Sequence, residues 1–406
     1  MRRVPRLLAA EVLRAARAFP ALIVTGPRRA GKTTLLRGLF PRADYRLLED
    51  PDTLARVRAD PRLFVEELRP PAILDEIQNA PELLNYIRTL VDLRPSRRGQ
   101  WFLTGSQEAP LMRGVSESMA GRAAVFHLLP FSLQETPKVS ILGGGFPEAL
   151  ARPRTAPLWY RSYVQTYLER DVRAVAAIRD LAAFRRFLAL LATRVGRILN
   201  RSDLASPLGV SVPTVSDWLA ILEVTSQVVL VPPFFENFGK RLVKSPKVYF
   251  ADTGLACHLL GIESQGMLDR SPFLGPLFEN FVATEIVKHQ LNAGRARALY
   301  YFRDQQGLEV DFVVPLGEDR LALIEAKASR TVRPDDARAL LRLKQAVGRY
   351  RTTAVVVHQP GRAPGATAAL AEGTRAAVPA GLPSILDAGR AARSAPRRRP
   401  GKVASG

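Results

Sequence analysis

The first 155 residues alternate short apolar runs with helical stretches, beginning with a lead-in helix over residues 1–20. The apolar runs at residues 21–24, 71–74 and 101–103 are each short enough to form a buried strand. Buried strands that alternate with helices are typical of a parallel sheet covered by helices. The pattern therefore predicts an α/β domain over residues 1–155.

The pattern changes after this domain. Residues 143–147 read GGGFP and residues 152–154 read RPR, which indicates a boundary. Beyond it, apolar residues recur at helical spacing in a stretch with few helix breakers, as shown by Phe184, Phe187, Leu188 and Leu191. We interpret residues 156–200 as a helical lid.

Residues 201–220 have the pattern of a helix-turn-helix, in which Gly209 permits the turn between the two helices. Strand-like runs follow at residues 228–231 and 247–250. Together these features predict a winged helix over residues 201–250.

The winged helix has two interpretations. DNA contact is favoured by the basic segment between the strand-like runs, which contains Lys240, Arg241 and Lys244. Use as a packing module inside the protein is the alternative. The second helix exposes none of the Arg, Lys, Asn or Gln side chains that read bases, since its exposed positions are Ser211, Thr214, Ser216 and Asp217. Direct sequence readout is therefore disfavoured.

A strand hairpin is predicted near the C-terminus. Residues 309–314 and 321–327 both alternate with a period of two, which puts Glu325 and Lys327 on one face of the second strand. Folding the hairpin about its turn brings Asp311 roughly opposite Glu325.

Two carboxylates and a lysine in one cleft suit Mg²⁺ or Mn²⁺, with the lysine orienting water or stabilising developing charge. Glu279 borders the apolar stripe of an upstream helix and could add a third carboxylate. A solvated charged hairpin is the alternative. That alternative is weakened by Leu321 and Leu323, because carboxylates beside them are costly to leave unpaired.

The strongest chemical signal lies between the first apolar run and the helix after it. Residues 26–33 read GPRRAGKT and fit the phosphate-binding pattern G-x-x-x-x-G-K-[ST] at every required position. Glycines let backbone N–H groups point at phosphate oxygens, Lys32 adds charge at the β/γ-phosphates, and the Thr33 hydroxyl can ligate Mg²⁺. The predicted ATP-binding residues are Gly26, Pro27, Arg28, Arg29, Ala30, Gly31, Lys32, Thr33 and Thr34.

Two further strand ends supply candidate chemistry. Asp75 can hold Mg²⁺ directly or through water, and Glu76 can polarise the attacking water. Thr104 and Ser106 end the third strand, where they could contact the γ-phosphate. A small-molecule kinase would not need Glu76 beside the metal aspartate, and the sequence lacks the LSGGQ-like signature of a transporter ATPase. The order of motifs therefore favours an ATP hydrolase.

Composition limits which partners and which cellular compartment the protein is expected to have. The 406 residues carry a net charge of +21, which suggests an anionic partner such as nucleic acid, although only nine of the 59 basic residues are lysine, as a GC-rich coding sequence would also give. Cys257, the single cysteine, fits a reducing cytosol, and no apolar run approaches the length of a membrane span. We expect a cytoplasmic protein with no membrane partner and a basic, disordered tail over residues 387–406.

These motifs together resemble a bacterial and archaeal family of AAA+-type ATPases that carry a C-terminal domain of unknown function similar to PD-(D/E)XK nucleases. The resemblance spans residues 1 to about 386 and rests on GPRRAGKTTLL, ILDEIQNAPELL, FLTGSQ, SESMAGRA, YVQTYLERDVR, SPKVYFADTGLA, GPLFENFV, EVDFVV and IEAKAS. It implies a parallel-sheet P-loop ATPase domain, the lid and winged helix, and a restriction-endonuclease-like α/β domain over residues 251–386.

The resemblance also implies roles for single residues. Nucleotide and Mg²⁺ would be bound by Lys32 and Thr33, and hydrolysis would involve Asp75 and Glu76. Either Thr104 or Ser106 would sense the γ-phosphate. Arg122 would act in trans as an arginine finger, a role compatible with a homo-oligomer. The residues that match the nuclease-like pattern are Glu279, Asp311, Glu325 and Lys327.

The leading hypothesis is a cytosolic ATP-driven switch coupled to a metal-binding, nuclease-like domain that acts on nucleic acid, with DNA favoured over RNA. The intact set of Asp311, Glu325 and Lys327 favours it. A non-catalytic signalling or scaffold ATPase, whose C-terminal domain binds protein or nucleic acid without cleavage, is the second hypothesis. A sequence-specific transcription factor is disfavoured for want of base-reading side chains.

Overall fold

The computed structural model describes residues 4–105, 119–168, 180–234, 245–361, 369–371 and 373–388. The chain forms two compact units. The first comprises Met1–Val231 and Ser245–Arg297, and the second comprises Pro232–Lys244 and Ala298–Gly406.

The first unit contains a five-stranded parallel sheet, which confirms the α/β prediction. Its strands are β1 (Ala21–Thr25), β2 (Asp44–Leu47), β3 (Ala72–Asp75), β4 (Trp101–Thr104) and β5 (Ala123–His127). The strand order is β2–β3–β4–β1–β5, so β4 separates the strand before the glycine-rich loop from the strand that carries Asp75.

Helices cover both faces of this sheet. They are α1 (Ala9–Ala18), α2 (Lys32–Leu39), α3 (Pro51–Ala59), α4 (Pro61–Glu67) and α5 (Leu83–Leu93). Alternate residues of β1 face different cores, as a strand period of two requires. Ile23 packs with side chains of α3, α4 and α5, whereas Leu22 and Val24 pack with side chains of α1 and α2.

The rest of the first unit is mainly helical. Its helices are α6 (Pro147–Ala151), α7 (Ala156–Tyr163), α8 (Leu181–Ala192), α9 (Arg201–Leu208), α10 (Val212–Val224), α11 (Thr253–Leu259), α12 (Gln265–Arg270) and α13 (Leu274–Asn292). A π-helical turn, Val164–Leu168, extends α7. The antiparallel strands β6 (Val228–Val231) and β7 (Lys247–Phe250) form a two-stranded sheet.

The region predicted to be a helix-turn-helix contains two helices joined by a short turn. Gly209 ends α9 with a φ of 66°, and Ser211 caps α10 by accepting a hydrogen bond from the Thr214 N–H. Trp218 of α10 packs against Phe184 of α8. The described parts of the predicted lid and of the helix-turn-helix therefore share one hydrophobic core.

Helix α13 is buried on nearly every side, which is typical of a core helix. The Asn280 side chain accepts a hydrogen bond from the Phe250 N–H at 2.8 Å and donates one to the Phe250 carbonyl at 2.7 Å. These bonds tie α13 to β7, so it belongs to the first unit although the sequence analysis assigns it to residues 251–386. The five-part domain division otherwise stays a prediction.

The second unit contains a six-stranded mixed sheet. Its strands are β8 (Tyr300–Arg303), β9 (Glu309–Pro315), β10 (Arg320–Lys327), β11 (Arg351–His358), β12 (Ala369–Ala371) and β13 (Thr374–Ala377), and its helices are α14 (Arg338–Ala346) and α15 (Leu382–Asp387). The strand order is β12–β13–β11–β10–β9–β8, with β10 antiparallel to β9 and parallel to β11. Helix α14 packs Leu340 and Leu343 onto the same core as Leu323 of β10.

No helix within the described ranges is both long enough and apolar enough to cross a membrane.

Candidate functional site

The glycine-rich loop after β1 has the backbone shape that its sequence predicts. Gly26 has a φ of 131°, and a Cβ atom there would lie 2.2 Å from the Leu128 carbonyl oxygen. Gly31 has a φ of 100° and directly precedes α2. Since only glycine adopts such angles readily, both glycines are required for the loop to curl and to present its N–H groups.

Lys32 begins α2 and is buried. Its Nζ atom donates hydrogen bonds to the carbonyl oxygens of Gly26 at 2.9 Å and Pro27 at 3.1 Å. The ammonium group is thus positioned at the concave side of the loop, where the motif requires a charge for the β/γ-phosphates.

Three hydroxyl groups from separate elements converge on Asp75. Thr33 Oγ1 of α2 lies 2.9 Å from each carboxylate oxygen, and Tyr45 Oη of β2 lies 2.8 Å from Oδ2. Thr104 Oγ1 of β4 also donates to Oδ1. This convergence follows from the sheet, because the carboxyl ends of parallel strands meet at one edge.

Tyr45 was not singled out by the sequence analysis. Burial, and then the Asp75 carboxylate, raise the pKa of Tyr45 above its ordinary value. The phenol therefore stays protonated at neutral pH and remains a hydrogen-bond donor to Asp75.

Glu76 has a strained backbone. Its φ is 60°, a left-handed conformation that non-glycine residues rarely adopt. The Glu76 N–H donates to Thr104 Oγ1 at 3.1 Å, and the Gln78 side-chain amide donates to its carboxylate. Strain of this kind is held by surrounding contacts and is concentrated at functional sites.

Further contacts fix the outer part of the loop. Arg28 is buried, and one of its Nη atoms lies 3.6 Å from Glu49. Arg29, with a φ of 63°, lies 3.3 Å from Glu148 of α6. The Ala30 carbonyl accepts a hydrogen bond from Arg6 at 2.8 Å.

A cavity of about 550 Å³ adjoins this loop. It is lined by Gly31, Thr34 and Leu35 on the loop side, and by Val4 and Phe131 among others. Its walls are mainly apolar, as in most small-molecule sites.

The β9–β10 hairpin of the second unit has the predicted register. Ile324 pairs with Phe312, which makes Asp311 and Glu325 the next residues along the two strands. Asp311 Oδ2 accepts a hydrogen bond from the Ala326 N–H at 2.9 Å. Glu325 Oε1 lies 2.8 Å from Lys327 Nζ.

The carboxylates of Glu325 and Asp311 raise the pKa of Lys327. Burial lowers its pKa, but Glu325 and then Asp311 outweigh burial, so the pKa stands above its ordinary value. The ammonium group is therefore charged at neutral pH.

Glu279 of α13 has partners of its own in the first unit. Its Oε1 atom lies 2.9 Å from Lys247 Nζ and 2.5 Å from Tyr249 Oη. Within the described ranges, no three or more His, Cys, Asp or Glu side chains cluster as metal ligands. The role of Glu279 as a third ligand beside Asp311 and Glu325 stays a prediction.

Comparison with known proteins supports the assignment of the loop. An AAA domain model matches residues 18–136. Residues 135–266 match a domain of unknown function (DUF8612), and residues 274–368 match another (DUF4143).

Two mycobacterial proteins are similar over much of the chain. They are the uncharacterized proteins Rv2008c of Mycobacterium tuberculosis (strain H37Rv) and Mb2031c of Mycobacterium bovis (strain AF2122/97). Each is 35 % identical over 316 residues, which cover 76 % of this chain and 70 % of the relative. The chain belongs to their family, a family of P-loop ATPases.

A solved structure, the Walker-type ATPase PABY2304 of Pyrococcus abyssi, is also similar to this P-loop ATPase. It is 14 % identical with a TM-score of 0.41, and the match covers 62 % of this chain and 94 % of that one.

Arg122, the candidate arginine finger of the ATPase, lies at the amino edge of the parallel sheet. Asp75 lies at the opposite, carboxyl edge. Arg122 immediately precedes β5, and its carbonyl accepts a hydrogen bond from the N–H of Ala21, the first residue of β1. Its guanidinium binds Asp92 through two bonds of 2.6 and 3.0 Å. A role for Arg122 at its own glycine-rich loop is incompatible with this position, so the finger stays a prediction for trans action.

Several predicted residues fall outside the described part of the chain. They are Ser106, the basic segment of Lys240, Arg241 and Lys244, and the tail from residue 389 onward.

Proposed function

We propose that the protein is an ATP-driven switch that hydrolyses ATP at the carboxyl edge of the parallel sheet. The observation that carries the proposal is the convergence of Thr33 and Thr104 on Asp75, directly beside the phosphate-binding loop. Lys32 would contact the β/γ-phosphates, and Glu76 would orient and polarise the attacking water.

The hydroxyl and carboxylate oxygens at this edge suit Mg²⁺. Thr33 and Asp75 are oxygen donors 2.9 Å apart, and oxygen is the ligand type that Mg²⁺ prefers. A bound Mg²⁺ would neutralise charge on the phosphate oxygens. Thr104 and Tyr45 would hold the Asp75 carboxylate in place, and Thr104 would also hold the backbone of Glu76.

The adjoining cavity would receive the base and ribose of the nucleotide. Gly31 and Thr34 line it, so it is continuous with the loop that would hold the phosphates. Its mainly apolar walls suit the flat face of a nucleobase.

We also propose that the second unit holds Mg²⁺ or Mn²⁺ between Asp311 and Glu325 and acts on nucleic acid, with DNA as the first candidate. The neighbouring positions of the two residues on β9 and β10, with charged Lys327 beside Glu325, support this proposal. The net charge of +21 would assist contact with phosphates.

One observation favours a second candidate, a C-terminal module that binds protein or nucleic acid without cleavage. Asp311 is bonded to the Ala326 N–H, and Glu325 is paired with Lys327. Both carboxylates thus have partners within the hairpin, which suits a structural role.

ATP turnover tests the switch. We expect the full-length wild type to bind and hydrolyse ATP with Mg²⁺, and Lys32→Ala to lose both, because it removes the charge at the β/γ-phosphates. Binding is measured by calorimetry and hydrolysis by phosphate release. Wild-type turnover by Lys32→Ala would contradict the proposed site.

Cleavage separates the two candidates for the second unit. Single- and double-stranded DNA and RNA are incubated with the protein and Mg²⁺ or Mn²⁺, with and without ATP. Metal-dependent cutting that is lost in Asp311→Asn/Glu325→Gln supports the nuclease candidate. Binding without cutting, unchanged in that variant, supports the non-catalytic module.

A further inference from the structure

Residues 129–135, which we call the β5 exit segment, lie against the phosphate-binding loop through one buried arginine. Arg6 Nη1 donates to the Ala30 carbonyl at 2.8 Å, and Nη2 donates to the Leu129 carbonyl at 2.6 Å. Arg6 Nε binds Glu135 Oε1 at 2.8 Å, and the guanidinium carbon lies 4.5 Å from the centre of the Phe131 ring. One side chain thus joins the loop to both ends and the middle of the segment.

Helix α13 holds the same segment through a second buried pair. Lys288 Nζ donates to the Phe131 carbonyl at 3.0 Å and pairs with Glu285 Oε1 at 3.1 Å. The other Glu285 oxygen accepts a hydrogen bond from the Leu133 N–H at 2.7 Å. Phe281 of α13 also packs with Phe131 in a small apolar cluster.

Because of these contacts, neither the phosphate-binding loop nor α13 can move away from the segment without breaking buried polar contacts. A buried charge that loses its partner strongly destabilises the fold. A shift of the Ala30 carbonyl therefore has to be followed by Arg6, and a shift of the segment by Lys288 and Glu285.

We propose that the β5 exit segment couples ATP binding to the packing of α13, with Arg6 and Lys288 as positioning residues. The inference rests on ATP binding at the loop, as proposed above. Coupling between sites is reciprocal in free energy, so ATP stabilises the docked α13 and a loosened α13 weakens ATP binding. After α13 the chain enters the second unit at Ala298. Through this coupling, nucleotide binding changes the packing of the helix that precedes the second unit.

The chain offers a matched control for a merely structural role. Lys247, like Lys288, has a side chain only 3 % exposed and pairs with a glutamate of α13. Its partner is Glu279, and its strand β7 is separate from the β5 exit segment. Removing either ammonium group disturbs the packing of the same helix, and removing that of Lys288 also removes the hydrogen bond to the Phe131 carbonyl of the segment that Arg6 joins to the loop.

The first measurement uses the wild-type full chain. Amide hydrogen exchange is followed with and without a non-hydrolysable ATP analogue and Mg²⁺, after calorimetry has shown that the analogue binds. We expect slower exchange in residues 129–135 and 277–292 as well as in the loop. Protection confined to the loop would overturn the coupling and leave ATP binding intact. Absence of binding would overturn the proposed ATP site itself.

The second measurement compares Lys288→Met with Lys247→Met. We expect both substitutions to lower the melting temperature, and only Lys288→Met to weaken ATP affinity, by about threefold or more. The kcat at saturating ATP should stay close to wild type, because both lysines lie outside the set of residues proposed to act on ATP. Equal ATP affinities in the two variants would overturn the positioning role of Lys288. If Lys288→Met does not fold, Arg6→Lys is compared with wild type, and unchanged ATP affinity in that variant would overturn the proposal.

Discussion

The carboxyl edge of the parallel sheet, which we call the nucleotide edge, holds Asp75 and Glu76, and the β9–β10 hairpin of the second unit holds Asp311 and Glu325. The two regions hold their carboxylates through different kinds of contact. Asp75 receives hydroxyl groups from α2, β2 and β4, which are distant along the chain. Asp311 and Glu325 are bonded by Ala326 and Lys327, which belong to the hairpin itself. Convergence of distant groups requires the whole sheet to form, whereas hairpin contacts arise with any correctly paired strands.

Backbone strain also distinguishes the nucleotide edge from the hairpin. Within the described ranges, the non-glycine residues with positive φ are Arg29, Glu76 and Ser226. Two of the three lie at the nucleotide edge. Long-range convergence combined with strain is a stronger sign of chemistry than a local charged pair.

Among the predictions that test this comparison, the largest effect is expected at the hairpin. If Asp311 and Glu325 bind a metal ion, both regions are ligand sites and the contrast between them disappears. In an Asp75→Asn background, which disables the nucleotide edge, we expect Mn²⁺ to raise the melting temperature. Linkage adds about 2.7 kcal/mol when free Mn²⁺ is about 100 times its dissociation constant. The gain should vanish when Asp311→Asn/Glu325→Gln is added.

The control for this prediction is Ca²⁺-free and Mn²⁺-free buffer with chelator, in which both proteins are melted as references. An equal Mn²⁺ shift with and without the two hairpin carboxylates would show that the hairpin is structural. The contrast between the two regions would then be complete.

A smaller effect is expected from Tyr45→Phe, which removes one of the three hydroxyls from Asp75. We expect ATP hydrolysis to fall by about tenfold, which corresponds to the lower limit of the roughly 1.5–3 kcal/mol that a hydrogen bond to a charged group contributes. Because burial and Asp75 raise the pKa of Tyr45, the loss should be the same at pH 6 and pH 9.

Tyr86→Phe on α5 provides the matched control, since it removes a hydroxyl from the same unit away from Asp75. If both variants hydrolysed ATP at the same rate, the Tyr45 hydroxyl would have no part in holding the carboxylate.

The sequence predicted the elements of the nucleotide edge well because each has a local signature. The loop pattern, the apolar run before Asp75 and the run before Thr104 are readable without knowing the fold, and all three lie at strand ends as expected. The hairpin register was also readable, since alternation and a single turn determine it.

Contacts between distant elements could not be predicted in the same way. Tyr45 lies in a four-residue strand, DYRL, whose pattern does not reveal that it neighbours β3. Arg6 gives no sign in the sequence that it will be buried against Ala30. Glu279 was assigned to the hairpin cleft because it borders the apolar stripe of α13, and such a stripe does not indicate which core the helix enters.

The central claim, that Glu76 activates water for ATP hydrolysis beside Asp75, is tested most directly by Glu76→Gln. ATP binding and single-turnover hydrolysis are measured on the same full-length preparation with Mg²⁺. The account predicts wild-type ATP affinity with hydrolysis slowed by about 100-fold or more, because the amide keeps the shape of the side chain but cannot accept a proton. Hydrolysis at the wild-type rate would contradict the account.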